Sequence, residues 1–368
     1  MQRMPARIGD PLAAIDTPAL CVDLDPFERN LARMADATKG IRLRPHAKSH
    51  KCATIARAQL ARGAVGICCQ KTDEAAAFVD AGVRDVLVTN EVVGAPKAAR
   101  LAALARSATV GVLVDAGVAV ATLSDAASRA GVQLDAYVEV DVGANRCGVR
   151  PGPAVLELAR AISGAPGLRL RGLQAYQGAA QHLRMPAERT AAIASAVADA
   201  RRMRELLVGA GIACDIVTGA GTGTWQQERD SGVYDELQPG SYVFMDADYG
   251  RNIAGAADLA FEQSLFVVAS VMSTPASDRA IIDAGLKAFA FDSGLPLVHA
   301  RGGAEYVKAS DEHGVLRTSD GPPVTLGERF WLVPGHCDPT VNLYDWIVAV
   351  RDGVVEGVWP VEARGALG

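Results

Sequence analysis

The sequence predicts an α/β protein: a (β/α)8 barrel of the TIM type followed by a C-terminal, mostly antiparallel β domain. Three observations carry that prediction. Strand and helix signals alternate through the first two-thirds in eight beats, the rhythm of a parallel sheet with helical crossovers. After about Gly255 the rhythm gives way to short β-rich segments separated by turns. The chain of 368 residues is also longer than one hydrophobic core usually supports, which calls for a large unit and a smaller one. The barrel is expected over 18–254 and the β domain over 255–368, with residues 1–17 packing on the latter.

Taken in order, the apolar strand candidates are 19–24, 41–44, 63–68, 85–88, 110–114, 136–140, 168–175 and 216–218. Helical patterns follow at 26–37, 52–61, 73–81, 96–105, 118–129, 153–163 and 187–209, with glycine or proline at many junctions. In such barrels the working residues gather at the C-terminal ends of the strands. Lys48, Gln70, Asn90, Asp115, Arg146 and Tyr176 would fall there. Past 255, segments such as SLFVVASVMS, RAIIDAG, RFWLVPG and DWIVAVRDG are bounded by turns that include SDG (319–321) and RDG (351–353).

Composition narrows the function classes. A chain that is 49% apolar and 21% charged suits a soluble protein with a sizeable core. Its net charge of −5 offers no long-range attraction to nucleic acid or to an anionic membrane, so neither partner is expected. No apolar run approaches the roughly 20 residues of a bilayer span, and the first residues contain no apolar core of a secretory signal. The cysteines stand at 21, 52, 68, 69, 147, 214 and 337, an odd number with no CxxC pair. That argues against a disulfide framework and a zinc knuckle and for a reduced, cytoplasmic protein. Cys68 and Cys69 read as small buried apolar side chains.

The most reactive stretch is IRLRPHAKSHKC (41–52). As a strand it puts Arg44, His46 and Lys48 on one face. Burying three such groups requires an anion against them. Positive neighbours would also lower the lysine's pKa, as an amine nucleophile working near neutral pH needs. A solvated edge strand with ordinary surface charges is the competing reading.

Four other stretches carry candidate chemistry. In EVDVGANRCGV (139–149), Arg146 sits in a glycine-bounded turn, where it either braces the turn against Asp141 or binds a ligand. VTGAGTGT (217–224) is a glycine-rich turn whose amides could cradle a phosphate, though it is neither a Walker motif nor a clean GxGxxG. LQPGSYVFMDADYG (237–250) offers amides at Gly240 and Ser241 for the same anion, or is an ordinary turn leading into a strand. PGHCDPT (334–340) sets His336 and Asp338 at i and i+2, which on an extended segment aims imidazole and carboxylate the same way. Such a pair suits a divalent ion with open positions; taken alone it reads better as a turn-capping Asp beside a surface His.

As a set, RPHAKSHK, GICCQK, VTNEVVG, VEVDVGANRCGV, GLQAYQGAAQH, TGAGTGT, ELQPGSYVFMDADYG, DAGLK, SDEHGV and PGHCDPT resemble the D-threonine aldolase family over nearly the whole chain. These are pyridoxal-phosphate enzymes of the alanine-racemase-like fold type, related to D-serine dehydratases and 3-hydroxy-D-aspartate aldolases. The resemblance implies that Lys48 bonds covalently to pyridoxal 5'-phosphate. Tyr176 would lie against its ring, and Arg146 would approach its phenolic oxygen or ring edge. Gly219, Gly221, Thr222, Gly240, Ser241 and Tyr242 would hold the phosphate, with Gln70 and Thr218 also at the cofactor. His336 and Asp338 would ligate a divalent metal. The related dehydratases carry His-x-Cys on zinc, so the harder Asp338 favours the aldolase side and Mn2+ or Mg2+.

The implied reaction is retro-aldol cleavage of a β-hydroxy-D-amino acid to glycine and an aldehyde. His182 would take the hydroxyl proton, directly or through a metal-bound water; its bland alternative is a cap on the following helix. The nearest rival substrate is 3-hydroxy-D-aspartate, giving glyoxylate. A D-serine dehydratase would expel water instead. Non-catalytic pyridoxal-phosphate carriers lack the β domain and the HCD turn. The family also implies a homodimer.

Overall fold

The computed structural model describes residues 3–318 and 321–368, so Ser319 and Asp320 of the SDG turn and the first two residues of the 1–17 segment lie outside the described residues. A strand at Ala19–Asp23 (β1) precedes eight short ones: Arg42–Leu43 (β2), Ile67–Cys69 (β3), Asp85–Glu91 (β4), Thr109–Val114 (β5), Leu134–Glu139 (β6), Leu168–Ala175 (β7), Ile216–Gly219 (β8) and Glu236–Leu237 (β9). These eight are parallel, in the order β2-β9-β8-β7-β6-β5-β4-β3. The sheet closes on itself between β2 and β3. His46 bridges Cys68 in parallel, and the Val65 and Cys68 amides donate to the Leu43 and Pro45 carbonyls at 2.9 and 2.8 Å. The expected (β/α)8 barrel is present.

One stave differs from the expectation. The segment at 19–24, read as the first barrel strand, belongs to the second sheet, where β1 lies between two strands of the C-terminal region. The eighth stave is β9, inside the stretch read as a turn. The reason is physical. The first four residues of β1 are all buried, as in any strand covered on both faces, so burial does not reveal which sheet it joins. A two-residue strand has no periodicity to read.

The C-terminal region contributes Leu265–Ala276 (β10), Arg279–Ile282 (β11), Leu297–His299 (β12), Glu305–Ala309 (β13), Gly314–Arg317 (β14), Arg329–Val333 (β15), Trp346–Arg351 (β16) and Val354–Pro360 (β17). Their order is β13-β14-β11-β10-β1-β16-β17, with β15 pairing β10 and β12. All these pairs are antiparallel except β1 with β16. The N-terminal segment joins the same sheet: Gly9 and Leu12 donate to the carbonyls of Val355 and Gly353, each at 2.8 Å.

A buried ion network sets the barrel's interior. Arg44 donates to Glu236 at 2.9 Å and to Asp85 at 2.6 Å, and Arg42 donates to the other Glu236 oxygen at 3.0 Å. This is the anion that a buried Arg44 requires. Burial works to raise the Glu236 carboxyl, but Arg44, Arg42 and the Thr218 hydroxyl outweigh it and leave it below its ordinary value. The network ties β2 to β9 and to the start of β4, the seam where the ladder is shortest. Glu236→Ala leaves the Arg44 charge buried against Asp85 alone, and is expected to cost about 3–5 kcal/mol. Urea unfolding measures this; a cost below about 1 kcal/mol would contradict the role given to the network.

Candidate active site

A cavity opens at the C-terminal ends of the barrel strands. Of the residues singled out in the sequence, Lys48, Gln70, Arg146, Tyr176, Gly221, Thr222, Gly240, Ser241 and Asp338 line it. Thr89, Gln174, Gln238 and Tyr249 line it as well, without a signal that pointed to them.

Lys48 stands on a single 3-10 turn, Ala47–Ser49, not on a strand. Ladder bonds run on past β2 through the Arg44 and His46 amides, which donate to the Leu237 and Pro239 carbonyls at 2.9 and 3.1 Å, and the chain then turns at Ala47, so Lys48 leaves the alternating face of Arg44 and His46. Instead His46 caps the turn: its Nδ1 accepts the Lys48 amide at 3.3 Å, while Nε2 meets Thr89 at 2.8 Å and Gln70 at 3.1 Å. Burial, then the Lys48 charge, hold His46 down at about 3, so the imidazole is neutral.

The lysine's charge also differs from the expectation. Lys48 Nζ lies 2.8 Å from Asp338 Oδ2. That carboxylate raises the lysine above its ordinary value, with burial opposing, while Lys48 holds Asp338 far below the carboxylate range against its burial. The cations thought to crowd Lys48 are silenced, Arg44 by Glu236 and Asp85 and His46 by deprotonation. The deciding anion comes from the far end of the chain, which no local pattern reveals.

Opposite the lysine lies an anion cradle. Among the described residues, none accepts from the amides of Gly221, Thr222, Ser241 or Tyr242, and the buried Thr222 hydroxyl has no partner. A Cβ on Gly221 would meet the Gln181 side chain at 2.5 Å, and one on Gly240 would meet the His46 carbonyl at 2.7 Å. The glycines therefore keep the loops close enough to present amides to one small anion. Tyr242 contributes no side chain here: its ring is buried and its hydroxyl accepts from Gln59 at 3.2 Å. Thr218 is also beneath the site, donating to Glu236 at 3.0 Å, and Gly219 ends β8 against the Tyr234 ring. Neither lines the cavity.

Arg146 does not brace Asp141, which accepts from Gly143 and Asn145 instead. Its guanidinium lies over the Tyr176 ring, 5.7 Å from the centroid, and 3.8 Å from Glu139. His182 stands outside the cavity lining, beside Tyr249 at 6.3 Å between ring centroids, with Nδ1 2.6 Å from Asp248. His336 is held the same way, its Nδ1 2.7 Å from Asp292. Only His336 is extended; Asp338 already lies in the first turn of the helix Cys337–Val341. Among the described residues no group of three or more His, Cys, Asp or Glu could hold a metal ion, so His336 and Asp338 stand as two donors.

Residues 22–248 match the family model of the alanine racemase N-terminal domain, and 264–350 that of the putative serine dehydratase domain. The chain is 51% identical to the D-threonine aldolase of an Arthrobacter species, over 98% of this chain and 96% of that protein. The chain belongs to the D-threonine aldolase family. It is accordingly an enzyme, a lyase. The 3-hydroxy-D-aspartate aldolase of Paracoccus denitrificans is 47% identical, covering 98% of this chain and 95% of that one. The crystal structure of D-threonine aldolase from Filomicrobium marinum superposes with a TM-score of 0.97 at 50% identity, covering 99% of this chain and 100% of that one.

Within this D-threonine aldolase family member, the carboxylates behind the two histidines are what residue patterns missed. Asp248 lies in the quoted MDADYG, where its role had no signal, and Asp292 is in an unremarkable FDSG turn. For the cradle, Gly240→Ala forces a methyl against the His46 carbonyl, an overpacking of about 1–3 kcal/mol. Inorganic phosphate affinity, measured by calorimetric titration, is expected to fall about tenfold or more; unchanged affinity would remove the anion from this loop.

Proposed function

We propose that the chain is a pyridoxal-phosphate- and divalent-metal-dependent D-threonine aldolase, cleaving β-hydroxy-D-amino acids to glycine and an aldehyde. The carrying observation is the convergence, in one cavity, of an amine, an anion cradle and a carboxylate brought from the β domain: Lys48, Gly221 to Ser241, and Asp338.

The residues fit the cofactor. The amide donors of Gly221, Thr222, Ser241 and Tyr242, which have no acceptor among the described residues, suit its phosphate, and Tyr176 with Arg146 over its face offers a flat wall for a ring. Lys48 is the amine that would hold it covalently. When bound, pyridoxal phosphate supplies an electron sink for the pair released at Cα, and a metal ion supplies Lewis acidity toward the substrate's hydroxyl oxygen. His336 and Asp338 would hold that ion. A histidine whose Nδ1 is fixed on a carboxylate presents Nε2 as a basic ligand, which is the arrangement of His336 with Asp292. A carboxylate oxygen as the second donor favours Mn2+ or Mg2+.

His182 is the base of this reading. With Nδ1–H directed to Asp248, its Nε2 is free to take the β-hydroxyl proton, and Arg184 and Arg251 fix the same carboxylate in place. A second reading, cleavage of 3-hydroxy-D-aspartate to glycine and glyoxylate, is supported by the 47% identical relative named for that substrate. A homodimer is supported by Val93, 75% exposed on the loop after β4, and Val118, 76% exposed in the first turn of the helix Gly117–Ala130 after β5, where a partner would cover the barrel mouth. A cytoplasmic setting is supported by seven free cysteines. Among the described residues no helix is long and apolar enough to cross a membrane.

The test is incubation with D-threonine under three conditions: as purified with Mn2+, after chelation, and in Lys48→Ala. Glycine and acetaldehyde in equal amounts are expected from the first alone. 2-Oxobutyrate with ammonia, or full activity after exhaustive chelation, would overturn the reading.

A further inference from the structure

Behind Arg146 lies an acid pair that the proposed reaction does not use. Glu139 ends β6 and is 4% exposed; Glu91 ends β4. Their carboxyls lie within hydrogen-bonding reach of each other. Yet Glu139 Oε2 and Glu91 Oε1 are both buried without a hydrogen-bond donor among the described residues. Two ionised carboxylates facing each other would leave both oxygens unsatisfied and repelling. One proton between them satisfies both.

We infer that Glu139 keeps its proton at neutral pH and donates it to Glu91, and that this hydrogen-bonded pair positions Arg146 and leaves its charge available to an anion in the cavity. The geometry of Arg146 supports this. Glu139 Oε1 is 3.8 Å from its Nη2, longer than a hydrogen bond, while the guanidinium stays over Tyr176 on the cavity wall. A single charge behind the arginine steers it without capturing it. Loss of the proton would set a second negative charge beside the first, and a close Glu139–Arg146 pair would draw the guanidinium away from Tyr176.

The other charged and titratable groups facing Glu139 are few. Asp115, just after β5, adds negative charge, Arg146 opposes it, and the Cys147 thiol lies against Glu91. Burial first, and Glu91 second, push Glu139 well above the usual carboxyl range, with Arg146 opposing. Glu139 therefore loses its proton on the alkaline side of neutrality. Glu139 and Glu91 are positioning residues; nothing places them on the reacting atoms.

This inference rests on the aldolase reading only for the anion that Arg146 meets, and the test separates the two. Infrared spectra of the purified protein, of Glu139→Gln and of Glu91→Gln are compared from about pH 7 to about pH 10. The wild type is expected to show a protonated-carboxyl band that fades with rising pH and that both variants lack. Buried Glu228, pushed up to about 8 by its burial, is common to all three and cancels in the differences. In parallel, kcat/KM for D-threonine cleavage should fall roughly tenfold over that range in the wild type and within about twofold in Glu139→Gln. A band unchanged in both variants overturns the protonated Glu139, whether or not the protein cleaves D-threonine. Loss of the band with an unaltered alkaline fall overturns the link to Arg146.

Discussion

The ion pair between Lys48 and Asp338 is the constraint on which this molecule depends. Its two halves come from different layers: the lysine from a one-turn helix at a barrel seam, the carboxylate from a short helix in the C-terminal region. Holding them 2.8 Å apart requires the second sheet to seat on the barrel mouth. The contacts that seat it lie close by. The Cys337 amide donates to Asp246 at 2.9 Å, Ser241 reaches Asp338, and the Ala363 amide donates to the Lys51 carbonyl at 3.1 Å. Barrel and β sheet thus meet where the chemistry is.

A second device recurs in this part of the molecule: a charged group held behind another. Asp248 holds His182, Asp292 holds His336, and Glu139 stands behind Arg146. For the histidines, a carboxylate on Nδ1 leaves Nε2 as the outward ring nitrogen. It also explains why His46 differs: its Nε2 is spent on Thr89 and Gln70, and it serves as a neutral cap.

Much of the fold was legible because long helix-forming stretches and continuous apolar runs report themselves. The alanine-rich helix at Pro186–Gly209 and the valine-rich β5 are of those two kinds. What escaped was short or ambiguous: the two-residue β9, and β1, whose burial fits either sheet. In the site, the stretches singled out in the sequence meet at one cavity, which Lys48, Gly221, Gly240 and Asp338 line. Their electrostatics were not legible. A strand face was assumed through Lys48 where the chain turns at Ala47, and the anion that reverses the lysine's shift lies in a distant segment. Long-range pairings of this sort leave no mark on local pattern.

The central claim, that Lys48 is the amine carrying the cofactor, has a direct test in the neighbouring Lys51. That second lysine is buried, turned away, and paired with Glu74 at 3.8 Å. Borohydride reduction of the purified protein followed by peptide mass mapping fixes the attachment point. The account predicts the pyridoxyl mass on Lys48 and none on Lys51. A label on Lys51, or no labelled peptide from a protein saturated with pyridoxal phosphate, would contradict it.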